Sequence, residues 1–330
     1  MDIRLLGEGD MPMAAALWKH AFNDSDRFIG WYLENKAQSS LGMFDGGRLI
    51  SALHIVPYTI MIQGRQMPTA FITGAATLKE HRGRGYMRRL LYEALALLKS
   101  RGVLITHLYP FKHSFYEKLG WAAFSYVARQ TVTEAYCRRG ADVIETRDTF
   151  LLSALYDKMM RGYEGYIIRG EREWRLRTEE LAIDGGRTAV LIKDGAASAY
   201  MLFYGENGKA DIIETVYEDE EDIAALLGYI LGQGFESAEY FIPYNGKEKF
   251  GMARLVDAQG LLRTLGAERL LEKTSVKDDF AEWNNVGAGG GGFVDAASLA
   301  AYIHMGTDLK TAESLGYYFK QKSTCIFETY

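Results

Sequence analysis

The feature that most constrains this chain is a change of period at Thr77. Upstream, "QGRQMPTAFITGAAT" passes through a Gly-marked turn into a β-favouring run. Downstream, "YMRRLLYEALALLKSRG" places Leu90, Leu91, Ala94, Leu95 and Leu98 on one face at helical spacing and stops at Gly102. Between them, "LKEHRGRG" carries Lys79, His81, Arg82 and Arg84 with Gly83 and Gly85. A strand that ends near Thr77, a Gly-containing turn and a helix from about Tyr86 aim unpaired backbone N–H groups beyond the strand end, where an anion is stabilised. The helix dipole adds partial positive charge, Gly85 permits close backbone approach, and Arg82 and Arg84 offer forked donors suited to a pyrophosphate.

Three other readings of the basic turn compete. It is a solvated helix face, which accounts for part of Arg88 and Arg89. It is a nucleic-acid footprint, although that needs a broad basic surface and the chain has a formal charge of -5. It is a dinucleotide or Walker-type loop, although "EHRGRGYM" has neither the three-glycine spacing nor a Gly-Lys-Ser/Thr.

The surroundings repeat one order of elements. "PMAAALWKHAFN" has helical spacing, "DSDRFIGWYLENK" opens with capping residues, and "LGMFDGGRLISALHIVPYTIMI" reads as two strands about Asp45-Gly46-Gly47. After the long helix come a short buried strand, "VLITHLYP", and a helical turn, "SFYEKLGW". The middle of the chain runs through helices, antiparallel strands, an acid-started helix in "YEDEEDIAALLGYILGQG", and the strand "SAEYFIPYN". It repeats the first order without an Arg-rich glycine turn.

Length and composition fit this reading. At 330 residues, 48% hydrophobic and 25% charged, the chain predicts a globular protein of two or three domains. No apolar run reaches the roughly 18 residues of a membrane span, and the N-terminus lacks a basic-then-apolar leader, so a cytoplasmic protein is expected. Cys137 and Cys325 form neither a disulfide framework nor a metal knuckle. His107 and His113 have no adjacent carboxylate or Cys to complete a metal set, and no metal is expected. The glycine run from Gly287 to Gly292 reads as a surface connection.

"GAATLKEHRGRGYMRRLL" resembles the acyl-CoA-binding segment of the GNAT N-acetyltransferases, whose pattern is Arg/Gln-x-x-Gly-x-Gly/Ala. Here it reads Arg82-x-x-Gly85-x-Met87, with Met in place of the small residue. More specifically, "LWKHAFNDSDRFIGWY", "SFYEKLGW", "MARLVDAQGLL", "DDFAEWNN" and "CIFETY" resemble the enhanced intracellular survival (Eis) acetyltransferases over nearly the whole chain. The resemblance implies an α+β (mixed α/β) GNAT fold. Residues 1–135 would be the catalytic domain, 136–250 a degenerate GNAT-like domain, and 251–330 a shortened sterol-carrier-protein-like domain, with Trp283, Asn284 and Asn285 a structural turn. Acetyl-CoA would be held by Ala75, Ala76 and Thr77 at the pantetheine arm and by Arg82, Gly83, Arg84, Gly85, Tyr86, Met87 and Arg88 at the pyrophosphate. Phe111 and Lys112 would make a second contact, although they depart from the small and acidic residues expected there.

The same resemblance implies Tyr116 as general acid toward the CoA thiolate and the α-carboxylate of Tyr330 as general base on an amine acceptor. It also implies a homo-oligomer, a hexamer by resemblance. A buried core role competes for Tyr116, which lies beside Phe115, Leu119 and Trp121, and a solvated terminus competes for Tyr330. A non-catalytic CoA-binding or sensing protein and a nucleic-acid binder remain as alternative functions. The acceptor stays open between an aminoglycoside, a polyamine and a protein lysine.

Overall fold

A computed structural model describes residues 1–37, 39–133, 141–243, 247–287 and 293–305. Cys137, Cys325, Tyr330 and most of the glycine run lie outside the described residues. The described chain forms two compact units, one built from Met1–Ser125 and the residues from Phe250 onward, the other from Tyr126–Lys249.

The first unit opens with β1 (Asp2–Leu5), α1 (Met11–Phe22) and α2 (Asp26–Asn35). Ser25 caps α2 by accepting the Phe28 N–H, as its position before the helix predicts. Strands β2 (Ser39–Asp45), β3 (Arg48–Ile62) and β4 (Arg65–Thr77) follow as an antiparallel meander, with Gly46 and Gly47 at positive φ in the first hairpin. Then come α3 (Tyr86–Ser100), β5 (Ile105–Leu108), α4 (His113–Glu117) and β6 (Ala122–Ala123). α3 buries Leu90, Leu91, Ala94, Leu95 and Leu98 against Met43, Ile50, Ile55, Ala70 and Ile72 of the sheet. On the other face α1 packs Ala14 and Leu17 over Ala52 and Ala76.

The second unit repeats this plan. It contains β7 (Tyr126–Val132), β8 (Val143–Glu145), α5 (Thr149–Met160), α6 (Glu171–Ile183) and β9 (Arg187–Lys193). These are followed by β10 (Ala196–Glu206), β11 (Lys209–Tyr217), α7 (Glu220–Gly232), β12 (Ser237–Pro243) and β13 (Glu248–Lys249). Strands β9 to β11 are an antiparallel meander, and β12 joins β11 in parallel after α7, as β5 joins β4 after α3. The equivalent helix start differs in charge. Glu220, Glu221 and Asp222 occupy the first turn of α7, so its own carboxylates already answer the dipole. Beneath α5 and α6, the buried Glu214 takes a bidentate bond from Arg169 at 2.6 and 2.9 Å, a third from Tyr200 at 2.7 Å and a fourth from Arg177 at 3.3 Å.

The chain then returns to the first unit as β14 (Met252–Leu255), α8 (Ala258–Leu265), α9 (Leu270–Lys273), β15 (Ser275–Lys277), β16 (Phe293–Asp295) and α10 (Ala296–Met305). β14 lies between β5 and β6, giving the order β1-β2-β3-β4-β5-β14-β6 among the described residues. This grouping differs from a third domain beginning at 251. A buried interior strand shares its hydrogen bonds with both neighbours and belongs to their core. Asn284 is buried within the expected structural turn, accepting from the Ala258 N–H and donating to Leu255 O and Asp278 Oδ2.

Candidate active site

The site begins with a bulge. The β3–β4 register runs His54–Thr73 and then Ala52–Ala76, so Gly74 and Ala75 together oppose Leu53. Gly74 has φ +56°, and a Cβ there would lie 2.6 Å from both His54 and Trp18. Only glycine fits. The other edge of β4 opens at the same level. β5 pairs with β4 in parallel at Ala70–Thr106 and Phe71–His107, and ends at Leu108.

Past that point the direction of the β4 peptides can be read from one bond. The Leu78 N–H donates to Ile50 O at 2.9 Å, toward β3. Because peptide groups alternate along a regular strand, and Ala76 and Thr77 lie beyond the bulge, the Thr77 N–H points the other way, toward the open edge. A donor on an open extended edge suits a ligand arm that carries amide carbonyls.

The basic turn follows directly. Gly83 and Gly85 have φ of +76° and +77°, and Gly85 is the residue before the first turn of α3. The first helical bond is donated by the Arg89 N–H to Gly85 O at 3.1 Å, so the N–H groups of Tyr86, Met87 and Arg88 have no intrahelical partner. Tyr86 and Met87 are partly buried against the α3 core, which holds this end in place.

The arginines expected to grip the pyrophosphate also bond within the turn. Arg82 Nε donates to Thr77 O at 3.0 Å, and an Arg84 Nη donates to Glu80 O at 3.1 Å. Glu80 itself is paired with Arg48 at 3.0 Å. Both guanidinium groups brace the turn's backbone, and only their remaining N–H groups face outward. Arg88 sits over the Phe280 ring at 5.5 Å. The arginines are thus partly engaged by the turn itself, while the amides of Tyr86, Met87 and Arg88 have no intrahelical acceptor.

Tyr116 belongs to the same packed cluster as α3, together with Ala75, Tyr86 and Met87. It is 3% exposed on the short α4, its ring 5.0 Å from Phe115, 5.7 Å from Phe111 and 6.1 Å from Trp121. Burial pushes its phenol up to about 12, because the charged form would lose its hydration. The hydroxyl therefore keeps its proton at neutral pH. Phe111 is 72% exposed beside it, and Lys112 is the residue preceding α4.

Ala75, Tyr86, Met87 and Tyr116 thus share one packed cluster of the first unit, and Arg82 to Gly85 lie in the connection from β4 to α3. Tyr330 lies outside the described residues. Sequence reading missed the bulge at Gly74 and the Ser51 hydroxyl, which donates to Ala76 O at 2.9 Å and lies 2.7 Å from Thr77 Oγ1. Serine in a strand carries no local signal of such a bond. Among the described residues, no group of three or more His, Cys, Asp or Glu is placed to hold a metal ion. No described helix is long and apolar enough to cross a membrane.

A bulged strand, an edge opened by the departure of its parallel neighbour, and a glycine turn into a helix define the GNAT acetyltransferase fold, in a mixed α/β architecture with tandem GNAT-like domains. Comparison with known proteins agrees. Residues 2–124 match the family described as acetyltransferase (GNAT) domain. An uncharacterized N-acetyltransferase of Streptomyces avermitilis is 24% identical over 160 residues, a stretch that covers 44% of this chain and only 38% of that relative. A probable N-acyltransferase of Enterococcus faecalis, a conserved protein of unknown function, superposes with a TM-score of 0.82 at 19% identity over 100% of this chain and 99% of its own. Eis1 of Mycobacterium abscessus superposes with a TM-score of 0.72 at 16% identity, with 100% of both chains covered.

Proposed function

We propose that the protein is a GNAT N-acetyltransferase of the Eis-like kind, moving an acetyl group from acetyl-CoA to a primary amine. The observation that carries this reading is the continuous donor track from the open edge of β4 to the start of α3. The Thr77 N–H, beside Ala75 and Ala76 on the same stretch of edge, suits a pantetheine carbonyl. The free amides of Tyr86, Met87 and Arg88 at the positive helix end suit the pyrophosphate. Ala76, Gly83, Gly85 and the braced Arg82 and Arg84 shape this track, while Phe111 and Lys112 border it near Tyr116.

The chemistry follows from what each group holds. An acceptor ammonium must lose a proton before its nitrogen can attack the thioester carbon, and the Tyr330 α-carboxylate takes that proton. The new C–N bond forms, the C–S bond breaks, the departing thiolate takes its proton from the Tyr116 hydroxyl, and the second proton shed by the nitrogen restores that hydroxyl. The net products are the amide, CoA thiol and one proton. A formal charge of -5 favours a cationic acceptor such as an aminoglycoside, a polyamine or a protein lysine. The reading includes a cytoplasmic homo-oligomer, a hexamer by its likeness to the Eis proteins.

The decisive experiment is release of CoA thiol from acetyl-CoA across an amine panel, with the C-terminus left free. Turnover is expected with at least one cationic amine, and removal of Tyr330 is expected to abolish turnover while CoA still binds. Full activity after that removal would overturn the carboxylate's role. CoA binding without turnover on any amine would instead favour a CoA sensor.

A further inference from the structure

We propose that Ser51 is a positioning residue for the pantetheine arm: its hydroxyl holds the last two residues of β4 in the setting that turns the Thr77 N–H to the open edge. This deepens the acetyl-CoA reading and rests on it.

The argument starts from what restrains the end of β4. Up to Phe71 the strand is held on both edges, by β3 and by β5. From Thr73 to Thr77 the β3 side remains, and that side is interrupted by the bulge. A strand end supported on one edge, beside a bulge and followed by a turn with two positive-φ glycines, has freedom to twist and fray. Its ligand-facing N–H is useful only if the peptide plane is fixed beforehand.

Ser51 supplies that restraint from the β3 side. It is fully buried and stands directly opposite Thr77 in the register. Its single hydroxyl hydrogen goes to Ala76 O at 2.9 Å, because a carbonyl can only accept. The 2.7 Å contact with Thr77 Oγ1 then takes its hydrogen from Thr77. One side chain thus fixes a main-chain carbonyl and the neighbouring side-chain rotamer. From the turn, Arg82 Nε fixes the next carbonyl, that of Thr77, at 3.0 Å. With the carbonyls of both residues engaged, the orientation of the intervening peptide is set. Alanine at position 51 would keep the packing, which is already small, and lose only these bonds.

The test titrates CoA into the full chain by calorimetry and measures acetyl-CoA kinetics for wild type, Ser51→Ala, Ser51→Thr and Thr106→Val. Thr106 is an equally buried hydroxyl that donates to Ala70 O at 2.7 Å, where β4 and β5 are still paired. Ser51→Ala is expected to raise the CoA Kd and the acetyl-CoA KM about tenfold with kcat held within about twofold, and Ser51→Thr to restore both. Thr106→Val is expected to lower the melting temperature comparably and leave the Kd unchanged. A Ser51→Ala Kd equal to wild type would overturn the role, as would a Thr106→Val Kd raised just as far, since the effect would then be general destabilisation. If Ser51→Ala fails to fold, the Thr77→Val variant tests the same hydroxyl pair, and an unchanged Kd there overturns the proposal. Wild type that takes up no CoA would remove the cofactor reading itself, a result distinguishable from the others.

Discussion

The Nε2 atoms of His107 and His304 lie 3.0 Å apart in the interior of the first unit, joining β5 to α10. Around them, Thr69 Oγ1 lies 2.9 Å from His107 Nδ1 and donates to Ile105 O at 2.9 Å, and His304 Nδ1 is 2.8 Å from Ala300 O. Four contacts require four hydrogens, and the neutral hydroxyl and imidazoles supply three. A fourth proton would complete the chain, but burial opposes the charged form. It holds His304 down to about 4 and His107 well below its ordinary value, where the neighbouring His304 adds repulsion.

Acid should therefore destabilise the first unit before its carboxylates titrate. His54, buried against Trp18, is likewise held to about 4 by burial. The unfolded chain protonates these imidazoles below about 6.5, while the folded chain keeps His54 and His304 neutral until about 4 and opposes charging of His107 in the same direction. Stability conferred by the neutral imidazoles is complete above pH 6.5 and is lost as pH falls toward 4. Each histidine contributes up to about 1.4 kcal/mol per pH unit within that window. Melting temperatures measured from pH 7.5 down to 5 should fall steadily, and a flat profile would contradict the buried neutral pair.

Two glycines of the site should respond unequally to alanine. Gly85 has φ +77° and open space where a Cβ would project, so Gly85→Ala meets backbone strain alone, about 1–2 kcal/mol. Gly74→Ala adds contacts of 2.6 Å with His54 and Trp18 to a φ of +56°, so overpacking adds about 1–3 kcal/mol more. Thermal denaturation of the two variants orders them, and equal losses would argue against the bulge geometry.

Tyr116→Phe separates catalysis from packing. The ring contacts with Phe115 and Trp121 survive, so the melting temperature and CoA affinity should stay near wild type. Loss of the proton donor should lower kcat by about 10²–10⁴-fold. A phenol held up to about 12 also predicts no loss of activity from its ionisation below about pH 10. Undiminished kcat in the variant would assign Tyr116 to the core alone.

In the second unit, Glu214→Gln should be strongly destabilising. It leaves Arg169 and Arg177 buried without the carboxylate that both of them contact, at a cost of about 3–5 kcal/mol. Chemical denaturation should show the loss in the transition of that unit. A change below about 1 kcal/mol would mean that other groups neutralise the arginines.

Much of the first unit was legible because its signals are local. The face of α3, the Ser25 cap, the Asp45-Gly46-Gly47 hairpin and the glycines before Tyr86 each depend on residues within a few positions of one another. The placement of β14 between β5 and β6 was not legible, because Met252 to Leu255 is only four residues long, contains Arg254, and carries no local signal of which edge it joins. The arginine roles were legible only in part. Charge and spacing marked Arg82 and Arg84, but whether a guanidinium meets a ligand or its own backbone depends on where the turn carbonyls point.

By itself, the sequence determined the strand–glycine turn–helix, since φ preference, periodicity and orphan helix amides are properties of neighbouring residues. Tertiary structure alone decided that Ser51 meets Ala76 and Thr77, that His107 meets His304, and that β4 opens beyond Phe71. Those contacts span 25 to 197 positions of chain. They exist only once sheet register and helix packing bring distant segments together, and no local preference encodes that register.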